Sequence, residues 1–548
     1  MLPRRALLVG GSALLAAPAL VLPHWMRSAA AQRGASSVLP SPITTPSVVV
    51  MGKQIDDVEA GFDPAEAHDA TSTEVNGNCY RKLVTQDPRD PDKIVGDLAE
   101  RWTVSSDGLT FVFHLRPGSV FESAKPLTAA DVAFSFQRVV RLNKAPAFIF
   151  TQFGFTPTNV DRLVRATGPN TAEIKLPEAR AGSFLLNCLA ANIGGVVERA
   201  TALANQSNGD LGNAWLRQRS AGSGPYRLLE WTQGEQVVIE ANSFSPIKPK
   251  TTRIILRHIG EPGVQLTELQ KGEVDIARDL GPEQQQVIAG KPDYMQVLTH
   301  QLTSVYAAMN MAMPQFAKLE VRQAVKWAID YDGITRRNTL GTYKVWQSFL
   351  PDGMPGAISD QPYQRDVARA RELMAKAGYR GGFSVTLDHV ANPVDRQIAQ
   401  AVQESLGNIG IQARLLASSK RDVVAKTRAR QHQIAVLTWH SDYLDPHANT
   451  LAFCANPDDA DYAQLRMLAW RNHYVNDDLT AMVDQAAREM DGRKRAEAYA
   501  QMQRIFMDQS PFVMLLQRAE IAALRKGVSG LVLGTLPDYT RYAQMTKA

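Results

Sequence analysis

Cysteine is nearly absent: Cys79, Cys188 and Cys454 stand far apart in 548 residues, with no CxxC pair among them. This scarcity excludes a disulfide-built scaffold and a four-cysteine zinc site. It leaves two readings open, one disulfide in an oxidising compartment or three buried thiols. An excess of charge of either sign is lacking too, since 60 Lys and Arg face 55 Asp and Glu. No basic cluster with interleaved aromatics occurs, so nothing points to nucleic acid. Catalytic signatures are missing as well: the chain contains no HExxH, GxSxG, GxxxxGKS/T or GxGxxG. Loose pairs of carboxylates and histidines arise by chance in a chain this long, and without enforced spacing they carry no mechanism. The expectation is a binding protein rather than an enzyme, with no cofactor.

Long hydrophobic runs are confined to the N-terminus. Arg4-Arg5 precede an uncharged stretch from Ala6 to Leu22, and Ser28-Ala29-Ala30-Ala31 follows with the small residues that signal peptidase requires. The stretch is rich in Ala and Gly, contains Pro18 and is followed by Pro23. It falls short of the roughly 20 apolar residues that comfortably span a bilayer. An export signal cleaved after Ala31 is therefore expected, not an anchor. Arg4-Arg5-Ala6-Leu7-Leu8 resembles a twin-arginine signal, with Arg27 suited to that route, although Pro3 replaces the usual Ser or Thr. The expected product is a soluble, monomeric periplasmic protein with no stable membrane insertion. Residues 32–46, rich in Ser, Thr and Pro, read as a flexible lead.

The run from Asp97 to Phe136 combines a hairpin with a capped helix. Leu109, Phe111, Phe113 and Leu115 alternate with Thr110, Val112 and His114, the period of a strand with one buried face, fed by the turn Ser105-Ser106-Asp107-Gly108. Thr128 and Asp131 have the spacing of a capping box. Val132, Phe136, Val139 and Val140 follow at i, i+4, i+7 and i+8 of an amphipathic helix. Further along, Gly222-Ser223-Gly224-Pro225-Tyr226 precedes two strands, and Leu269-Gln270-Lys271-Gly272 reads as a helix stopped by glycine. A strand from Tyr306 leads through Pro314 to a helix Leu319 to Ile329, whose Val321, Ala324, Val325 and Ala328 share a face. Arg322 lies off that face and is not expected to touch a ligand. Between Asp366 and Leu416 helices and strands alternate, which argues an α/β lobe with a largely parallel sheet.

The Asp97 block, the GSGPYRLLEW segment, LQKGEVDI and VRQA together resemble the extracellular solute-binding proteins of family 5, the peptide-type receptors of ABC importers. The resemblance implies an α/β, bilobal periplasmic-binding-protein fold of type II with an extra inserted lobe. On it, 47–86 is the first part of lobe I, with Tyr80 to Val84 expected on a helix, and 87–221 is the inserted lobe. Residues 222–307 complete lobe I, 308–512 form lobe II and 513–548 return to lobe I, with crossovers near 303–312 and 508–518. The function implied is capture of a short peptide or peptide-like amine and its delivery to permease subunits with their ATPases. Another solute on the same fold, such as an oligosaccharide, an opine or a nickel complex, stays open. So, from other classes, do a peptide hydrolase and a periplasmic chaperone or sensor.

The candidate site lies in Thr438 to His447, after the apolar Ile434 to Leu437 strand, because ligands of open α/β sheets bind beyond the carboxyl ends of strands. Trp439 offers a flat wall and Asp442 an anion, with Asp442 equally readable as a turn residue capping a backbone N–H. The family resemblance implies that Asp442, followed by Asp445-Pro446, receives a peptide's α-ammonium group, with Tyr443 beside it. Family position adds Thr71, Ser72, Tyr306 and Asn310 as candidates for the remaining walls. His440 and His447 with Asp442 and Asp445 raise a metal reading, but Pro446 prevents one helix from aligning them, and no metal is expected.

Overall fold

An eleven-stranded sheet runs through the molecule. Its order is Ile411–Ser418, Phe383–Val390, Ile434–His440, Tyr294–Met309, Phe512–Arg525, Ile276–Ala277, Val48–Lys53, Arg253–His258, Gln236–Ala241 and Tyr226–Thr232, with Tyr343–Val345 pairing beside Phe512–Arg525. The structure is a computed structural model and describes residues 47–87 and 90–548. The expected export signal and lead lie outside the described residues. All three cysteines are buried and free, which decides between the two readings above.

Two long strands tie one lobe to the other. Tyr294–Met309, the outgoing strand, pairs first with Arg525 to Ala519 of the return strand Phe512–Arg525. After an irregularity between His300 and Ser304 it pairs with Gln517 to Phe512 on one side and with Ile434–His440 on the other. The outgoing strand thus keeps the return strand as its partner throughout and gains Ile434–His440 from Thr303 on, at the N-terminal edge of the expected crossover. Beyond it both sheet faces are covered: Val305, Ala307 and Met309 join one apolar cluster, and Tyr306 and Ala308 join another. This is the pattern of a central strand with helices on both sides. Phe383–Val390 is parallel to both of its neighbours, as the helix and strand alternation predicts. On the other side of the crossover, Val49, Met51, Ile254, Leu256, Ile276 and Leu524 form a separate core.

A four-stranded antiparallel sheet stands apart from the large one, in the order Ala99–Val104, Thr110–Leu115, Thr171–Lys175 and Val164–Gly168. Phe111, Phe113 and Leu115 are buried and Leu109 partly so, as alternation requires. Helix Ala129–Leu142 covers this sheet, and the Asp131 carboxylate accepts from the Thr128 N–H at 2.9 Å. Phe136 stacks on Phe150 at 4.1 Å. On the same helix, buried Arg138 pairs with Asp63 of the neighbouring lobe, Nη1 to Oδ1 at 2.7 Å.

Tyr80 to Val84 is not helical. Helix Ala70–Cys79 ends at Tyr80, and Val84–Asp87 is a strand paired to Asp90–Gly96. The side chains explain the break: Arg81 Nε donates to Asp97 at 2.7 Å, while Lys82 Nζ reaches Ala190 O at 2.6 Å and Asp538 at 2.5 Å. Those opposed directions need extended backbone. The glycines of GSGPY are a close-approach device, since a Cβ at Gly222 would meet Cys79 O at 2.1 Å and one at Gly224 would meet Asn78 O at 2.5 Å. Arg322 is buried and donates to the carbonyls of Phe316, Ala317 and Gln509, a packing role. The described residues belong to one unit, Ile43–Ala548, and no helix among them is long and apolar enough to cross a membrane.

Candidate functional site

The strand Ile434–His440 delivers the segment that carries the site, and Asn449 holds it in place. Trp439 Nε1 donates to Asn449 Oδ1 at 3.1 Å, Ser441 Oγ donates to the same oxygen at 2.9 Å, and Asn449 Nδ2 donates to Phe349 O at 2.7 Å. Ser441 N also donates to Leu302 O at 3.1 Å. The chain between Trp439 and Asp442 is thereby fixed on both sides. Trp439 is half-buried, its ring edge-on to Phe453 at 5.9 Å.

Asp442 is the exposed end of this arrangement only in name: its side chain keeps 12% of its surface. Among the described residues no hydrogen-bond donor reaches its carboxylate. Among the described residues its one ion-pair neighbour is the imidazole of His68 of the first lobe, Nε2 to Oδ1 at 3.6 Å. Burial pushes the Asp442 carboxyl above its usual range, and His68 opposes that shift. The capping role belongs to Asp445 instead, which accepts from His447 N at 2.9 Å at the start of helix Pro446–Cys454.

Asp445 is engaged by protein on every side. Arg495 grips it with two bonds, 2.7 and 3.0 Å, and Asn187 Nδ2 lies at 3.4 Å. Tyr443 is fully buried against the inserted lobe, its hydroxyl 3.3 Å from Gln152 Oε1 and its ring 6.0 Å from that of Phe184. Tyr306 is a core residue, edge-on to Phe453 and Phe512 at 5.5 and 5.8 Å. Asn310 donates to Arg430 O and His432 O, both at 3.0 Å. These four side chains shape and brace the segment, whereas Asp442 stands without a donor.

The first lobe presents the start of helix Ala70–Cys79. Asp69 caps it by accepting from Ser72 N at 2.9 Å, and the Ser72 hydroxyl is spent on the same carboxylate. Thr71 N donates to Asp57 Oδ2 at 3.0 Å, while Thr71 Oγ1 and Asp57 Oδ1 are buried without partners. Burial, reinforced by Asp57, pushes the Asp69 carboxyl up to about 6. His68, Asp57 and Asp69 belong to this wall and were not among the sequence candidates. Their only sequence signal is proximity to Thr71 and Ser72.

The two histidines of the segment part company. His440 Nδ1 lies 2.8 Å from Thr303 Oγ1, and burial lowers its pKa to about 3, so it is neutral at physiological pH. His447 packs against Phe184, the two rings tilted by 54° with centroids 4.6 Å apart. Among the described residues no three His, Cys, Asp or Glu side chains converge as metal ligands would.

Two α/β lobes sharing a pair of long strands, with a donor-less carboxylate of one lobe turned toward a histidine of the other, define a bilobal solute-binding protein. The chain belongs to the bacterial extracellular solute-binding proteins, family 5, whose model matches residues 93–461. It is 27% identical over 495 residues to the probable D,D-dipeptide-binding periplasmic protein of Escherichia coli, covering 89% of this chain and 92% of that one. It is also 27% identical over 496 residues to di/tripeptide-binding protein 1 of Pseudomonas aeruginosa, covering 86% of this chain and 89% of that one. Its fold matches that of an ABC transporter-associated periplasmic binding protein from Helicobacter pylori in complex with peptide STSA. There the TM-score is 0.76 at 21% identity, over 91% of this chain and 98% of that one.

Proposed function

We propose that this protein is the solute-binding receptor of an ABC importer, taking a short peptide or peptide-like amine between its lobes and handing it to the permease subunits and their ATPases. The observation that carries the reading is the Asp442 carboxylate, with only 12% of its side-chain surface left and without a hydrogen-bond donor among the described residues. A desolvated anion in that condition costs several kcal/mol. An α-ammonium group would offset the cost with opposite charge and three donors. Main-chain groups of the cleft would pair with the peptide backbone in the manner of an added strand. The relatives named for binding dipeptides and tripeptides support the ligand class, and their names support binding rather than turnover.

Calorimetry with dialanine and N-acetyl-dialanine tests the anchor. Asp442→Asn keeps the shape and removes the charge. Losing one partner of a buried charge pair costs roughly 2–5 kcal/mol, so affinity for dialanine falls at least about thirtyfold, and N-acetylation produces a comparable loss in the parent. Because the Asp442 carboxyl is raised by burial, affinity also falls as pH is lowered through that raised value, where protonation removes the anion. Equal affinity of parent and Asp442→Asn places the anchor elsewhere. The same reading has residues 1–31 removed after Ala31 and the precursor exported by the twin-arginine route to the periplasm. Replacing Arg4 and Arg5 with Lys then blocks processing, and unchanged processing would leave only a general secretory signal.

A further inference from the structure

His68 faces Asp442 from a frame that leaves its backbone little freedom. On one side of it Ala67 N donates to Asp63 O at 2.7 Å and Ala67 O accepts from Asn192 Nδ2 at 3.1 Å. On the other, Asp69 caps helix Ala70–Cys79 by accepting from Ser72 N at 2.9 Å. The Asp442 end is held as firmly, since Ser441 N donates to Leu302 O at 3.1 Å and Tyr443 is fully buried. The 3.6 Å between His68 Nε2 and Asp442 Oδ1 is therefore set by the approach of the two lobes rather than by loose chain.

The two partners differ in exposure: the His68 side chain keeps 48% of its surface and that of Asp442 only 12%. Among the described residues the imidazole makes no hydrogen bond and has no other ion-pair neighbour. At 3.6 Å the contact is too long for a hydrogen bond and short enough for strong attraction once the ring is charged. The other titratable groups around it lie on both walls. Asp69 and Asp57 belong to its own wall. On the opposite wall Asp442 is followed by His440, neutral at physiological pH, with Lys420 and Arg518 in electrostatic reach of that ring. Asp442 is the carboxylate within ion-pair distance of His68.

We infer that His68 is a built-in occupant of the ammonium position: in the ligand-free protein its imidazolium pairs with Asp442, latches the two lobes together, and is displaced by the incoming amine. This role rests on the peptide reading above and deepens it. Asp442 is largely desolvated and lacks a donor, so a cation that reaches it is favoured, and one already held opposite it is at high effective concentration. The contact exists only while the walls are close. It therefore stabilises the closed arrangement and not the open one, and only such a difference shifts the population. An imidazole suits a latch that must release, because its charge changes between about pH 5 and 8, whereas Lys or Arg stays charged throughout. As pH falls through that range the ring gains its charge, and His68 opposes protonation of the Asp442 carboxyl, so an ion pair forms until the carboxyl itself protonates.

Spin labels on Thr267→Cys in the first lobe and Glu404→Cys in the second report the separation of the lobes, the three native thiols being buried. The full mature chain, freed of solute by unfolding and refolding, is measured at pH 8 and pH 6. The parent shows a larger closed fraction at pH 6 than at pH 8. His68→Gln, which cannot be charged, shows the same distances at both, and His68→Lys, charged at both, is closed at both. Calorimetry at pH 8 supplies the second readout: His68→Lys binds dialanine at least about tenfold more weakly than the parent, because a permanent cation contests the place of the ammonium. A closed fraction in the parent that ignores pH, a pH response that survives in His68→Gln, or equal affinity of His68→Lys and parent for dialanine overturns the latch while the peptide reading stands. If the parent does not bind dialanine at either pH, the peptide reading falls and the competition with the ammonium falls with it.

Discussion

Asp69 caps a helix while largely desolvated, and burial, with the nearby Asp57 carboxylate adding to it, raises its pKa to about 6. The sign is direct. Its folded value lies above the unfolded 3.8, so the stabilising, protonated form is full below about pH 4, and its contribution is lost as pH rises through about 6. Asn is as good an N-cap as Asp and carries no charge. Asp69→Asn is expected to stabilise the protein at pH 8 by about 1–3 kcal/mol, with the gain vanishing below pH 4. Denaturant midpoints at the two pH values check this, and no difference between parent and variant at pH 8 would contradict it. Residue chemistry alone does not separate such cases. Asp442 and Asp445 are the same side chain three positions apart, and what distinguishes them is Arg495, fifty residues on, and His68, hundreds of residues before. No local pattern encodes either partner.

Elements were far more legible than partners. The strand from Thr110 and the helix from Ala129 stand where period and capping residues place them, because each buries a face that its own spacing defines. Tyr80 to Val84 misread as helix because its extended shape is imposed by Asp97, Ala190 and Asp538, all distant in sequence. Helix Pro446–Cys454 shows how an element is braced through its cap. Its cap, Asp445, is locked by Arg495 from helix Gly492–Gln509 and by Asn187 from the inserted lobe. Arg495→Met leaves that carboxylate buried and uncompensated, a loss of about 3–5 kcal/mol, and adding Asp445→Asn recovers part of it. Chemical denaturation of the single and double variants measures the coupling. Additive losses would show that the pair is not a unit.

At the scale of the molecule, the outgoing and return strands make one sheet serve two cores, and the candidate segment follows the strand Ile434–His440 that joins the outgoing strand from Thr303 on. The order of strands and helices made an α/β lobe readable, and the bilobal class came from the family resemblance. The meeting of His68 with Asp442 exists only once those strands bring the lobes together. A cleft that surrounds its solute holds it through purification, since dissociation requires the lobes to part. Native mass spectrometry of the protein isolated from its own periplasm therefore tests the central claim most directly. The account predicts a fraction carrying one short peptide per chain, released unchanged on denaturation, with a free α-amino group. A consistently different solute, or a peptide recovered as cleavage products, would contradict it.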